Sequence, residues 1–142
     1  MEPITVAIAA QDGTGMAQCR NTLRHDGEII VLRQSMNSEN LVTRMCRLKP
    51  RILLLSADLC TDAECSLLQA LRRKCPGTLV MLVGPHAIED DQLANALLVG
   101  ARGYLEQGDL ERLLARAVHG VDRGEAWVTR KMLGKIMEMS LS

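Results

Sequence analysis

Hydrophobic positions along this chain follow two rhythms. Short aliphatic runs occupy residues 4–10, 28–33, 51–56, 78–84 and 102–105, and after each the apolar residues recur every three or four positions. Continuous runs of that length read as strands buried on both faces, and the longer period reads as amphipathic helices packed over them. The third run is the clearest: Lys49-Pro50 introduces Arg51 and Ile52-Leu53-Leu54-Leu55, and Ser56 closes it. Helical stripes begin with Met16, Cys19 and Leu23, then Leu41, Val42, Met45, Cys46 and Leu48, then Leu67, Leu68 and Leu71. They continue with Leu93, Ala96 and Leu97, the unbroken series Leu110, Leu113, Leu114, Ala117, Val118 and Val121, and finally Met132, Leu133, Ile136 and Met137. Asn37 or Ser38, Asp62 and Asp109 stand where helices should begin, and Gly100 and Gly124 where they should end. Asp62 in particular predicts a helix over residues 63–74.

A strand followed by a helix, five times over, with a trailing helix, predicts an α/β domain built on a parallel sheet with helices on both faces. Five strands in one domain suit the flavodoxin-like, doubly wound order 2-1-3-4-5 better than the six-stranded dinucleotide fold. In such sheets the reacting groups sit just past the carboxyl ends of the strands. At the end of the third strand stands Ser56, a hydroxyl where a carboxylate would mark a phosphoacceptor or a metal ligand.

Composition narrows the function classes. At 142 residues the chain suits one domain, and Lys+Arg balances Asp+Glu at 17 each, which argues against a surface built for nucleic acid or anionic membrane. There is no Phe, and Tyr104 and Trp127 are the only aromatics, so the core must be aliphatic with eight Met as filler. Five cysteines without regular spacing, and no secretory leader or membrane-length apolar stretch, predict free thiols and a cytoplasmic domain.

Gly100-Ala101-Arg102-Gly103-Tyr104-Leu105 resembles the segment around the fifth strand of response-regulator receiver domains, above all those of NarL/FixJ (LuxR-type) transcription regulators. Lys49-Pro50 before an aliphatic strand is similar to the start of that subfamily's third strand. Gly124-Glu125-Ala126-Trp127-Val128 is similar to its turn into a linker helix. The resemblance implies a receiver-like domain over residues 1–124 and a linker helix over 125–142, leading toward a helix-turn-helix domain beyond Ser142. Receivers take a phosphoryl group onto an Asp, with Mg²⁺ held by an acidic pair, and use a Ser/Thr and a Lys to follow it. At the matching positions this chain has Ala10 and Gln11 for the acidic pair, Ser56 for the Asp, Gly84 for the Ser/Thr and Gln107 for the Lys. Mg²⁺ wants anionic oxygen ligands, and a Ser hydroxyl needs a general base to act as a nucleophile. The resemblance therefore implies a degenerate receiver with no cofactor, no metal and no enzymatic activity.

The expected function is protein contact: a homodimer, or docking of a partner or of the chain's own effector domain, with DNA met only through a domain outside this chain. The expected faces are the one built from the fourth helix, fifth strand and fifth helix, and the one shared by the first and fifth helices. Arg112, Arg116, His119 and Trp127 are candidate contact residues, against the plainer reading of a solvated helix face and linker packing. Tyr104 falls on the family's switch aromatic. With Gly84 opposite, the ring either settles inward permanently or is an exposed strand aromatic without a role. Two alternatives stay open: a small ligand in the vacated pocket, or residual phosphorylation at Asp12 or Asp58. Gly13 and Gly15 lack the rest of a nucleotide loop, Cys60 and Cys65 lack zinc-finger spacing, and His25, His86 and His119 are scattered and none reads as a catalytic base. Arg72-Arg73-Lys74 suits a helix C-terminus.

Overall fold

The structure is a computed structural model and describes residues 2–10, 17–32, 40–60, 62, 64–85, 89–128 and 130–141. The strands are β1 (Ile4–Ala9), β2 (Ile29–Val31), β3 (Ile52–Ser56), β4 (Leu79–Gly84) and β5 (Ala101–Glu106). The helices are α1 (Ala17–Leu23), α2 (Leu41–Leu48), α3 (Ser66–Lys74), α4 (Asp90–Leu98), α5 (Leu110–Asp122) and α6 (Arg130–Leu141). The sheet is parallel throughout and ordered β2-β1-β3-β4-β5, the doubly wound arrangement expected from the sequence.

Strand alternation divides the core in two. Ile4, Val6, Ile8, Ile52, Leu54, Met81 and Val83 face α1 and α5, meeting Cys19, Leu23, Leu110, Leu114 and Val118. Ala7, Ala9, Leu53, Leu55, Val80 and Leu82 face the other way, meeting Leu41, Met45, Leu68, Leu71 and Ala96. Ile52 to Leu55 are completely buried. That is why β3 reads as an unbroken aliphatic run, and each such side chain contributes about 2 kcal/mol by leaving water. Lys49 ends α2 in the left-handed conformation, its N–H bonded to the Met45 carbonyl (2.9 Å), and Pro50 prevents the helix from continuing.

One expected helix start and one expected side-chain cap are corrected. α3 begins at Ser66, not residue 63, because the chain first turns back on itself from Asp62 to Cys65. The Asp62 carboxylate still serves the helix, accepting bonds from the Ser66 N–H (3.0 Å) and Oγ (2.6 Å), and the turn buries Cys65. Asp109 precedes α5, but its side chain makes no capping bond; it pairs with Arg112 at 2.7 Å. The Asn37 and Ser38 caps, the loop with Gln11, Asp12, Gly13 and Gly15, Met16 and His86 lie outside the described residues.

Candidate functional site

The register gathers most of the expected positions at one sheet edge. Ala9 pairs with Leu55, Ser56 with Val83 and Gly84 with Glu106, so Ala10, Ser56, Gly84 and Gln107 follow or close four neighbouring strands. Gln11 and Asp12 lie outside the described residues. Ala10 is partly buried against the α1/α5 half of the core. Ser56 is extended (φ −63°, ψ 132°) and leads into a 3-10 turn, Ala57–Leu59, in which Asp58 is exposed. Gln107 opens a second 3-10 turn, Gln107–Asp109, leading into α5. This edge offers a hydroxyl and an amide where phosphoryl transfer would want a carboxylate and an ammonium. Among the described residues no three His, Cys, Asp or Glu side chains converge to hold a metal ion.

Tyr104 lies directly on Gly84. A Cβ built at Gly84 would collide with the Tyr104 hydroxyl oxygen and lie 3.0 Å from its ring carbon Cζ. A bulge in β5 sets this up. Val80 pairs with Ala101 and Leu82 with Tyr104, so β5 spends three steps where β4 spends two. Ala101 and Tyr104 therefore pack on the same half of the core, and Leu105 on the other. Burial first, and then the nearby Glu106 carboxylate, push the Tyr104 phenol above its ordinary 10.0.

The free edge of β5 is closed by the chain itself. The Trp127 N–H donates to the Arg102 carbonyl at 2.8 Å and the Tyr104 N–H to the Trp127 carbonyl at 3.3 Å, a parallel bridge of Gly103 with Trp127. Gly103 permits it, since a Cβ there would lie 2.6 Å from the Trp127 carbonyl oxygen. α6 then packs back on α4. Leu97, Leu98, Leu133 and Ile136 line the cleft of about 540 Å³ between them. The face of α4 and β5 is thus covered by Ala126, Trp127, Val128 and α6, which no local pattern in the sequence announces.

Of the other expected contact residues, Arg112 is exposed and tied to Asp109, Arg116 is exposed, and Trp127 lies partly buried against the core. His119 is partly buried and tied within the domain, its Nε2 2.9 Å from Asp26 Oδ2. Burial works to raise the Asp26 carboxyl. The Glu28 N–H (2.9 Å), the His119 hydrogen bond and the His119 charge outweigh it, leaving the carboxyl below its ordinary 3.8. A lowered folded value stabilises above the unfolded one and is lost on acidification. Asp26→Asn should therefore lower the melting temperature at neutral pH and make no difference once pH falls well below 3.8, as paired thermal melts would show. The pair is 93 residues apart in sequence, so no spacing could have revealed it.

No protein-family model matches the chain, and no curated protein sequence does. Solved structures do. The isolated receiver domain of RcsB from Salmonella enterica serovar Typhimurium is 15% identical, with a TM-score of 0.81 over 95% of this chain and 98% of that one. A LuxR-family two-component response regulator from an Aurantimonas species is 13% identical, with a TM-score of 0.79 over 99% and 100%. The receiver domain of NarL from Mycobacterium tuberculosis is 18% identical, with a TM-score of 0.68 over 84% and 99%. The chain has the fold of receiver domains of NarL/LuxR-type response regulators. None of its described helices is long and apolar enough to cross a membrane.

Proposed function

We propose that this receiver-fold chain is a regulatory protein-contact module that takes no phosphoryl group. The observation that carries the reading is the Tyr104 ring seated on Gly84. The hydroxyl-bearing side chain that would follow a phosphoryl oxygen is absent, and an aromatic ring lies in the space it would need. Ser56 and Ala10 support the reading from the neighbouring strands, since neither supplies a carboxylate for a phosphoryl group or for Mg²⁺.

In this reading residues 1–124 are the module and residues 125–142 the linker, whose helix α6 packs on α4. With α6 on α4, the face left for a second copy or a partner is that of α1 and α5. These helices pack side by side and carry a polar cleft lined by Gln18, Asn21, Thr22, His25 and Glu111. Arg116 projects on this helix pair, and Arg112 beside it. The module sits in the cytoplasm as a homodimer and acts on a protein partner or on its own effector domain. An RcsB response regulator of Salmonella typhimurium, described for its conformational dynamism in DNA interaction, matches 94% of this chain over 69% of its own chain. DNA contact would fall to a domain other than this one.

Incubation with acetyl phosphate and Mg²⁺ tests the reading. Intact mass should be unchanged for the protein and for Ser56→Asp, whose pocket still lacks the acidic pair. Sedimentation should show the same dimer with and without the reagent. A gain of about 80 Da, one phosphoryl group, would show that Asp12, Asp58 or another acid still accepts it. The isolated RcsB receiver was also solved in the presence of the phosphomimetic BeF₃⁻. The same reagent should leave the melting temperature of this chain unmoved.

A further inference from the structure

We propose that Cys46 and Cys75 form a dithiol site at which a hydroperoxide closes a reversible disulfide between α2 and the segment that follows α3. The two residues are 29 apart in sequence, yet their sulfurs lie 3.1 Å from one another. A bonded pair sits at about 2.05 Å, so closure needs a movement of roughly one ångström, within reach of side-chain torsions.

The sulfurs are held in this relation from both sides. Cys46 is in the last turn of α2, and its Sγ rests 3.5 Å from the Lys74 carbonyl oxygen at the end of α3. Cys75 directly follows α3, and its Sγ rests 3.7 Å from the Val42 carbonyl oxygen in α2. Each thiol leans on the other's helix, and the helices themselves are packed together. The other three cysteines, Cys19, Cys60 and Cys65, are all buried.

Access divides the roles. Cys46 alone of the five cysteines is not buried, so a small oxidant in water meets it first. Burial, and then the neighbouring Cys46, push the Cys75 thiol up to about 11, which keeps it protonated until an electrophilic sulfur is beside it. The Cys46 thiolate attacks one peroxide oxygen; the O–O bond breaks and the other oxygen leaves as hydroxide, taking up a proton as water. Cys46 is now a sulfenic acid. The Cys75 sulfur attacks the Cys46 sulfur, its proton passes to the departing hydroxyl, and a second water leaves. In sum two thiols and one hydrogen peroxide give one disulfide and two waters, with two electrons passing from the sulfurs to the peroxide. A dithiol reductant reverses the closure by exchange. The site would give the domain an input that needs neither Mg²⁺ nor a phosphoryl donor, and its existence does not depend on how the domain treats phosphate.

The test uses the full chain and hydrogen peroxide in small molar excess, followed by blocking of remaining thiols with N-ethylmaleimide. Titratable thiols should fall from five to three. Intact mass before blocking should fall by about 2 Da, as two hydrogens leave. Proteolysis should yield one cross-linked peptide pair joining Cys46 to Cys75, and dithiothreitol should restore all five thiols. Cys46→Ser should retain its four other thiols under the same treatment, whereas Cys75→Ser should form no cross-link and stop with Cys46 as a sulfenic acid. Cys46→Ser alters the more exposed sulfur, so the experiment stands even if the buried replacement unfolds. In the unaltered chain, a cross-link between any other pair, a disulfide-linked dimer, an unchanged thiol count, or stepwise oxygen addition without cross-linking would overturn the proposal.

Discussion

Threonine in place of Gly84 should drive the Tyr104 ring out of its seat. The new Cβ would collide with the phenol oxygen, and the adjacent ring carbon would lie only 3.0 Å away. Either the ring rotates outward or β4 and β5 separate. Overpacking of this kind costs about 1–3 kcal/mol, and ring rotation is the cheaper path because Tyr104 lies at the margin of the core and not at its centre. The chain has a single tyrosine, so one ultraviolet titration reads one phenol. In the unaltered protein it should ionise above 10.0, since burial and then Glu106 oppose the phenolate. In Gly84→Thr it should return toward 10.0 as water reaches the ring. Adding Tyr104→Ala to Gly84→Thr should recover much of the lost stability, because the colliding group is then gone. An unchanged phenol titration in a folded Gly84→Thr protein would mean that the ring does not rest on Gly84. The same result would take away the observation on which the phosphate-independent reading stands.

Valine at Gly103 should have the larger effect. Its Cβ would meet the Trp127 carbonyl oxygen at 2.6 Å and the Trp127 Cβ at 2.7 Å, contacts with backbone and near-backbone atoms that no rotamer change relieves. The segment around Trp127 must leave the edge of β5, giving up the bonds to the Arg102 carbonyl and from the Tyr104 N–H. α6 loses the anchor that holds it on α4, and Leu98 and Leu133, already partly exposed, gain further contact with water. We expect a loss of about 3 kcal/mol, high for one substitution, and a fall in melting temperature of roughly 10 °C. Trp127 is the only tryptophan, so a red-shifted emission should report its release. Proteolysis between α5 and α6 should accelerate in parallel. A valine variant with native emission and native melting would show that the edge pairing is not what holds residues 126–141 in place.

Both substitutions fall in or beside the Gly100–Leu105 string that carried the family resemblance, and the structure gives its glycines separate reasons. Gly100 has φ +123° where the chain leaves α4, a conformation that L side chains rarely adopt. Gly103 is required by the approach of Trp127. The string looked like a family mark; physically it is a helix exit and a backbone contact set three residues apart.

What the sequence determined by itself was the order of elements, the parallel sheet, and the residues closing the third and fourth strands, Ser56 and Gly84. These depend on local periodicity and on the chemistry of single side chains. A buried aliphatic run such as Ile52–Leu55 announces its own environment, and Ser56, Gly84 and Gln107 lack a carboxylate, a hydroxyl and an ammonium in any fold. Only the tertiary structure decided where Tyr104 points, since the bulge in β5 breaks the period of two that a sequence reader counts on. Only the tertiary structure paired Asp26 with His119 and Cys46 with Cys75, and laid α6 over α4. Residues 93 or 29 positions apart become neighbours because the doubly wound sheet packs α1 against α5 on one face and α2 against α3 on the other, and nothing in their local sequence encodes that meeting.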